Sequence, residues 1–233
     1  MHIPARPPLF PLFLSLEGIA CLVVGMGRVG RRKLAAILHC EPASILVLDV
    51  VPAENLSREA RILLEDPRVA FESRRCEEKD IPGRGLVFAA TGSEEENVRI
   101  AALCRLHAVP CNCASRPEAG SFQVPAVARR GGICIALSTG GASPALARRW
   151  RLELEKWLDP RSATACLMSR LRPLVLALNR PSEHNAALFE KIASSPLQDW
   201  LAEGDARQCR EWLMRELPPE LHPHVTELLD DLS

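Results

Sequence analysis

An apolar run that stops on glycine constrains this chain more than any other stretch. Residues 20–24 (Ala-Cys-Leu-Val-Val) read as a short buried strand. Gly25, Gly27 and Gly30 follow as G-x-G-x-x-G. Gly25 permits a tight turn out of the strand, and Gly27, lacking a Cβ, lets an anion approach the backbone. Gly30 lets the next helix pack closely on the sheet. Val29, Leu34, Ile37 and Leu38 recur at helical spacing. The N–H groups that open such a helix have no partner inside it, and its dipole favours negative charge there. The element is a candidate phosphate cradle; on its own the motif also fits a plain glycine-rich turn.

The context narrows that choice. A second apolar run, Ile45 to Leu48, ends in Asp49, which follows Gly30 by 19 residues. That is close to the spacing of roughly 20 expected for an acid that accepts from a ribose 2′-hydroxyl. A carboxylate there repels a 2′-phosphate, so the pattern favours NAD over NADP; the alternative for Asp49 is a turn residue at a strand end. Gly85 to Thr91 is another apolar strand, ending in small residues and a hydroxyl. Ser93-Glu-Glu-Glu96 has the form of an N-cap followed by acids. A helix pattern then runs to Leu106, and a strand from Val109 to Ala114. Strand and helix alternate through residues 19–114, which predicts a Rossmann-type, doubly wound α/β domain with a mostly parallel sheet. Ligands of such sheets bind beyond the carboxyl ends of the strands, where Thr91 and Gly92 would face a cofactor. Pro7 to Leu16 reads as an extended, apolar lead-in packed on the sheet edge. Arg74 to Lys79 reads as a solvated charged surface.

The texture changes after residue 114. Ser115-Arg-Pro-Glu118 is a polar exit. Gly120 to Val127 and Ile133 to Ser138, separated by Arg129-Arg-Gly-Gly132, suggest a hairpin-like pair outside the first sheet. Thr139 to Pro144 is a second glycine-bearing loop, in which Ser143 can cap a helix with Pro144 at its first position. Beyond Asp159-Pro160 no strand candidate occurs. Leu167, Leu171, Leu174 and Leu178 are helical in spacing, with Pro173 a point of kinking, and further helical pieces follow. The expected division is a cofactor-binding domain over 1–114, a central segment over 115–158 and a helical module over 159–233.

Lysine plus arginine and aspartate plus glutamate number 29 each, so net charge is zero. That argues against nucleic acid or an anionic membrane as the main partner. The nine cysteines include no C-x-x-C, and several sit in apolar runs. They read as buried free thiols of a reducing compartment, with Cys111 and Cys113 on one strand face. The N-terminal stretch is interrupted by Pro7, Pro8 and Pro11 and does not read as a signal peptide. No apolar run is long enough to span a membrane, and the expected location is the cytoplasm. His222-Pro-His224 has no nearby third ligand and reads as a surface turn, so no metal site is expected.

The glycine loop, Val87-Phe-Ala-Ala-Thr91, Asn97, Asn112, Gly120-Ser-Phe-Gln-Val-Pro-Ala126 and Ser138-Thr-Gly-Gly-Ala-Ser-Pro-Ala-Leu-Ala-Arg148 occur in this order. The ordered set, over roughly residues 9–158, resembles the precorrin-2 dehydrogenase family, which includes the N-terminal part of siroheme synthase. The resemblance implies an NAD-binding Rossmann domain, a dimerising central segment and a small helical domain. It implies oxidation of precorrin-2 to sirohydrochlorin and, in some members, iron insertion. By position Gly25, Gly27, Arg28 and Val29 match the family's phosphate loop, and Asp49 and Val50 its ribose contact. Ser121, Thr139, Arg116 and Arg148 fall on segments expected to meet the substrate.

One departure stands out. The family usually carries an aspartate, implicated in both activities, at the fourth position of the segment that here reads Asn112-Cys-Ala-Ser115. A carboxylate there can accept a proton or hold a metal ion; a serine hydroxyl does neither well at neutral pH. Glu118 is the nearest acid, and it or a water is the alternative substitute for that aspartate. Dehydrogenation with weak or absent chelation, the metal being inserted by a separate chelatase, is therefore expected; the alternative is a non-catalytic regulator that binds NAD or a tetrapyrrole. A polycarboxylate substrate also suits Arg116, Arg129, Arg148 and Arg149 as a group.

Overall fold

The structure, a computed structural model, describes residues 9–232. The chain divides into two compact units, Leu9–Val124 and the residues from Pro125 onward. The first unit is a parallel sheet of β1 (Ala20–Val24), β2 (Ser44–Asp49), β3 (Val69–Ser73), β4 (Leu86–Ala89) and β5 (Cys111–Cys113), in the order β3-β2-β1-β4-β5. The helices α1 (Arg28–Leu38), α2 (Arg58–Leu64) and α3 (Glu94–Leu106) connect the strands. The strands of β1 and β4 are buried almost throughout, as a sheet covered on both faces demands. Alternate residues of β1 serve two cores: Leu22 and Val24 pack with Ile100 and Cys104 of α3, Cys21 and Val23 with Leu34 and Ile37 of α1. The doubly wound fold expected from the alternation is the fold observed.

This unit runs on past residue 114, for a local reason. The return segment 119–122 is stitched to the last strand: the Cys111 amide donates to Ser121 Oγ (2.9 Å) and the Ser121 amide to the Cys111 carbonyl (2.8 Å). Phe122 then meets Phe88 edge-on, ring centroids 5.4 Å apart. Gly120 is required at this approach, because a Cβ would lie 2.7 Å from the Cys111 carbonyl oxygen.

Two surface expectations change. Of the lead-in, Pro7 and Pro8 lie outside the described residues. The rest does not pack on a sheet edge: Phe10 and Phe13 are 85% and 73% exposed, and only Leu16 is buried. Pro11 has no N–H to offer a ladder, and no strand forms here. Arg74 to Lys79 is a solvated surface only in part: Arg75, Glu77, Glu78 and Lys79 are exposed, whereas Cys76 is buried and Arg74 is half-buried by ion pairs described below.

In the second unit, β6 (Ala126–Arg130) and β7 (Ile133–Leu137) form a two-stranded antiparallel sheet, and α4 (Pro144–Leu158) packs on β6. Residues 120–125 are a loop rather than part of the hairpin. Helices α5 (Ser162–Ala177), α6 (Ser182–Ala193), α7 (Leu197–Glu203), α8 (Ala206–Glu216) and α9 (Val225–Leu229) enclose a core around Leu167, Leu171, Leu197 and Leu213. Pro173 sits inside α5 without ending it. His222 and His224 lie in a 3-10 turn, and no group of three metal-ligating side chains occurs among the described residues. All nine cysteines are free thiols, five of them buried in the first unit or six with Cys209. Burial pushes the Cys21 thiol up to about 11 and the Cys76 thiol up to about 12.

Candidate functional site

A cleft of about 1060 Å³ in the first unit opens at the carboxyl ends of the parallel strands. This is where an open α/β sheet places its ligand. Gly25, Gly27, Asp49, Val50 and Thr91 all line it.

The glycines play three separate parts. Gly25 has φ +99°, and a Cβ there would lie 2.5 Å from the Ala90 carbonyl oxygen, so only glycine passes this turn. A Cβ on Gly30 would lie 1.7 Å from the Gly25 carbonyl oxygen; its absence lets α1 close on the turn. Gly27 differs from both. It caps α1 at an ordinary φ of −65°, makes no side-chain cap, and a Cβ there would meet nothing within 4 Å. The face over the first turn of α1 is thus open, with the amides after Gly27 uncapped by any side chain. Residues Arg28 and Val29 begin that turn and are exposed, whereas Gly30 is buried under it. The cradle fits a pyrophosphate.

Asp49 sits at the mouth of this turn. Its Oδ2 accepts from the Met26 amide at 2.5 Å and its Oδ1 from the Val51 amide at 2.8 Å. The two amides fix the carboxylate and leave each oxygen a further lone pair. Asp49 lies one strand spacing from the glycine turn, since β1 and β2 are paired neighbours with Val24 opposite Leu48.

The opposite side of the cleft is organised by Asn97, which is almost fully buried. Its Oδ1 accepts from the Thr91 amide (2.9 Å) and the Thr91 hydroxyl (2.8 Å), and its Nδ2 donates to the Thr91 carbonyl (3.2 Å) and to Ser115 Oγ (3.1 Å). All of its hydrogen-bonding capacity is used locally. Ser115 is therefore tied to the Thr91 turn through Asn97, although it does not itself line the cleft. Ser93 caps α3, accepting from the Glu96 amide at 3.2 Å. The acid-rich first turn behind that cap faces the cleft with Glu95 and Glu96.

The third wall is one that sequence reasoning placed in solvent. Residues 74–78 line the cleft. Arg74 grips Asp80 with two 2.7 Å hydrogen bonds and Glu72 with a third of 2.6 Å. Asp80 is only 5% exposed, and this pairing holds its carboxyl below the usual carboxylate range despite the burial that opposes it. Asp80 also accepts from the Glu77 amide at 2.8 Å. From the far side, Arg99 of α3 donates to the Cys76 carbonyl at 2.5 Å and pairs with Glu96. The signal that finds this wall is register: Asp49 lies opposite Ser73, so the residues after Ser73 emerge at the same sheet end.

The remaining expected site residues of the first unit do not line the cleft. Arg116 pairs with Glu94 (3.2 Å) and with Glu118 (3.6 Å), so the acid nearest Ser115 already faces a cation. Ser121 serves the β5 backbone. In the second unit, Thr139 Oγ1 accepts from the Ser143 amide at 3.3 Å in the loop before α4, Arg148 is exposed on α4, Arg149 pairs with Glu153, and Arg129 is exposed on β6.

Comparisons with known proteins agree with this geometry. A family model described as putative NAD(P)-binding matches residues 12–126. The siroheme synthase of Thioalkalivibrio sulfidiphilus is 31% identical over 209 residues, 89% of this chain and 42% of that protein. The siroheme synthase of Methylococcus capsulatus is 30% identical over 205 residues, 88% of this chain and 42% of that protein. The chain thus spans less than half the length of the curated relatives it matches. Among solved structures, one described as SirC, precorrin-2 dehydrogenase superposes with a TM-score of 0.66 at 23% identity, covering 82% of this chain and 92% of that one. That likeness establishes the fold.

Proposed function

Because the chain belongs to the family of precorrin-2 dehydrogenases and siroheme synthase N-terminal parts, we propose that it oxidises precorrin-2 to sirohydrochlorin with NAD. The observation that carries this reading is the Asp49 carboxylate, fixed by the Met26 amide beside the uncapped first turn of α1. Bound there, NAD would supply the acceptor for the hydride that leaves the substrate, the accompanying proton going to water or a base.

The chain's own residues hold and orient. The amides after Gly27 meet the pyrophosphate, and Arg28 and Val29 flank it. Asp49 accepts from the adenosine ribose and disfavours a 2′-phosphate, with Val50 covering the sugar. Thr91, immobilised by Asn97, closes the other wall toward the nicotinamide half. Hydride transfer depends chiefly on that placement, so it survives the replacement of the expected acid by Ser115. Iron insertion does not share this tolerance, because a serine hydroxyl held by Asn97 takes up no proton and is a poor metal ligand at neutral pH. A separate chelatase then completes siroheme formation.

The reading includes a homodimer built through the second unit. A two-stranded sheet is marginal alone, both its edges are open among the described residues, and Trp150, Leu152 and Trp157 of α4 are exposed. The exposed arginines Arg129 and Arg148 suit a polycarboxylate substrate.

Incubation with precorrin-2 and NAD tests the reading. Stoichiometric NADH and sirohydrochlorin are expected, without siroheme above the non-enzymatic rate when ferrous iron is added. NAD binding with no turnover would instead favour the regulator that the missing acid also suggests.

A further inference from the structure

We infer that Arg75 is the adenine clamp of this site, its guanidinium stacking on the base of the bound dinucleotide and setting affinity for the adenosine half. The inference rests on the NAD reading above and adds a residue to it.

Position supports it first. Strand order β3-β2-β1 lays the carboxyl ends of these strands side by side. The phosphate cradle lies at the end of β1 and the ribose acid at the end of β2. The next strand outward, β3, ends at Ser73, opposite Asp49 in the register. Two strand spacings make about 10 Å, the reach of an adenosine from its phosphate to its base. A dinucleotide anchored at Gly27 and Asp49 therefore brings its adenine over the residues just beyond Ser73. Arg75 is two residues beyond it and lines the cleft.

Rigidity supports it next. The backbone on both sides of Arg75 is pinned. Arg74 Nη1 donates to the Arg75 carbonyl at 3.0 Å while the same guanidinium grips the buried Asp80. The following carbonyl, of Cys76, is held by Arg99 at 2.5 Å. The Arg75 side chain itself is exposed and makes no ion pair or hydrogen bond among the described residues. Its neighbours Arg74 and Arg99 are both committed to carboxylates. The result is a free planar cation on a fixed backbone, and its charge is felt by Glu96 on the α3 wall. Guanidinium planes stack on aromatic faces, and such contacts contribute to binding without any acidic partner.

Isothermal titration of the full chain with NAD, AMP, nicotinamide mononucleotide and NADP provides the test, on wild type, Arg75→Ala and Arg75→Lys. Arg75→Ala should weaken NAD and AMP by the same factor, about 3- to 30-fold, the range of one cation–π contact, and leave nicotinamide mononucleotide unchanged. Arg75→Lys should restore less than half of the lost affinity, since it keeps the charge and loses the plane. Thermal midpoints should match wild type for both. Unchanged NAD affinity in Arg75→Ala overturns the clamp while leaving the site intact. So does full rescue by lysine, or a loss confined to NADP, either of which would make Arg75 a phosphate contact. A wild-type chain that binds neither NAD nor AMP overturns the clamp and the NAD reading together.

Discussion

The carboxyl ends of β2 and β5 lie along one edge of the same sheet and carry opposite chemistry. At β2 a carboxylate, Asp49, is held by two backbone amides beside an open helix start. Just past β5 a neutral hydroxyl, Ser115, is held by a buried amide side chain, Asn97. Asp49 is held by two hydrogen bonds and Ser115 by one, so both are anchored and the difference that bears on chemistry is charge. An acid anchored this way can accept from a sugar hydroxyl; the serine can only position its neighbours. The contrast teaches that one sheet edge can fix a charged acceptor and a neutral hydroxyl at two of its strand ends, which in the proposed function separates cofactor gripping from proton or metal handling.

The largest expected effect breaks the β2 side. Gly27→Asp should weaken NAD more than a hundredfold, because its carboxylate would face the pyrophosphate, while the thermal midpoint moves little, the added Cβ meeting nothing within 4 Å. Titration and a melting curve on the same sample check both halves. On the β5 side the order of effects reverses. Asn97→Ala strips partners from the Thr91 amide and Ser115 together and should cost about 2 kcal/mol of stability in urea, with binding following only as the Thr91 turn loosens.

Asp49→Asn sharpens the comparison at intermediate size. It keeps an acceptor and removes the charge, so NAD should weaken about tenfold, as expected for losing one charge-assisted hydrogen bond, and NADP should gain relative to it. The smallest structural effect belongs to Ser115→Asp. Asn97 Nδ2 already offers the new carboxylate a donor, so stability should stay within about 0.5 kcal/mol. Siroheme formation from sirohydrochlorin and ferrous iron, expected to be weak or absent in wild type, should appear. Its failure to appear would mean that more than one side chain separates this chain from a chelatase.

What was legible in the sequence follows the same division. The glycine loop, Asp49 and the Ser93 cap are local patterns, each readable within one turn or one strand–helix unit, and they lie at the end of β1, the end of β2 and the start of α3. Residues 74–78 were not legible, because their place at the cleft depends on the pairing of β3 with β2 and on Asp80 drawing Arg74 out of solvent. A run rich in charge reads as surface until its partner acid is known to be buried. Asn97 was visible as a residue of the family pattern, but its four bonds reach from α3 to Thr91, six residues before it, and to Ser115, 18 residues after it, and no spacing reveals them. The lead-in failed for the converse reason: apolar composition signals burial only where the backbone can join a sheet or helix, and residues 9–15 form neither and are exposed.

In the proposed function the adenosine half of NAD is held between the Gly27 amides and Asp49. A crystal structure of the chain with NAD tests that directly. The prediction is a ribose hydroxyl within hydrogen-bonding distance, about 2.7 Å, of an Asp49 carboxylate oxygen, with the pyrophosphate against the first turn of α1. A dinucleotide bound elsewhere, or one whose ribose leaves Asp49 to its two amides alone, would contradict it.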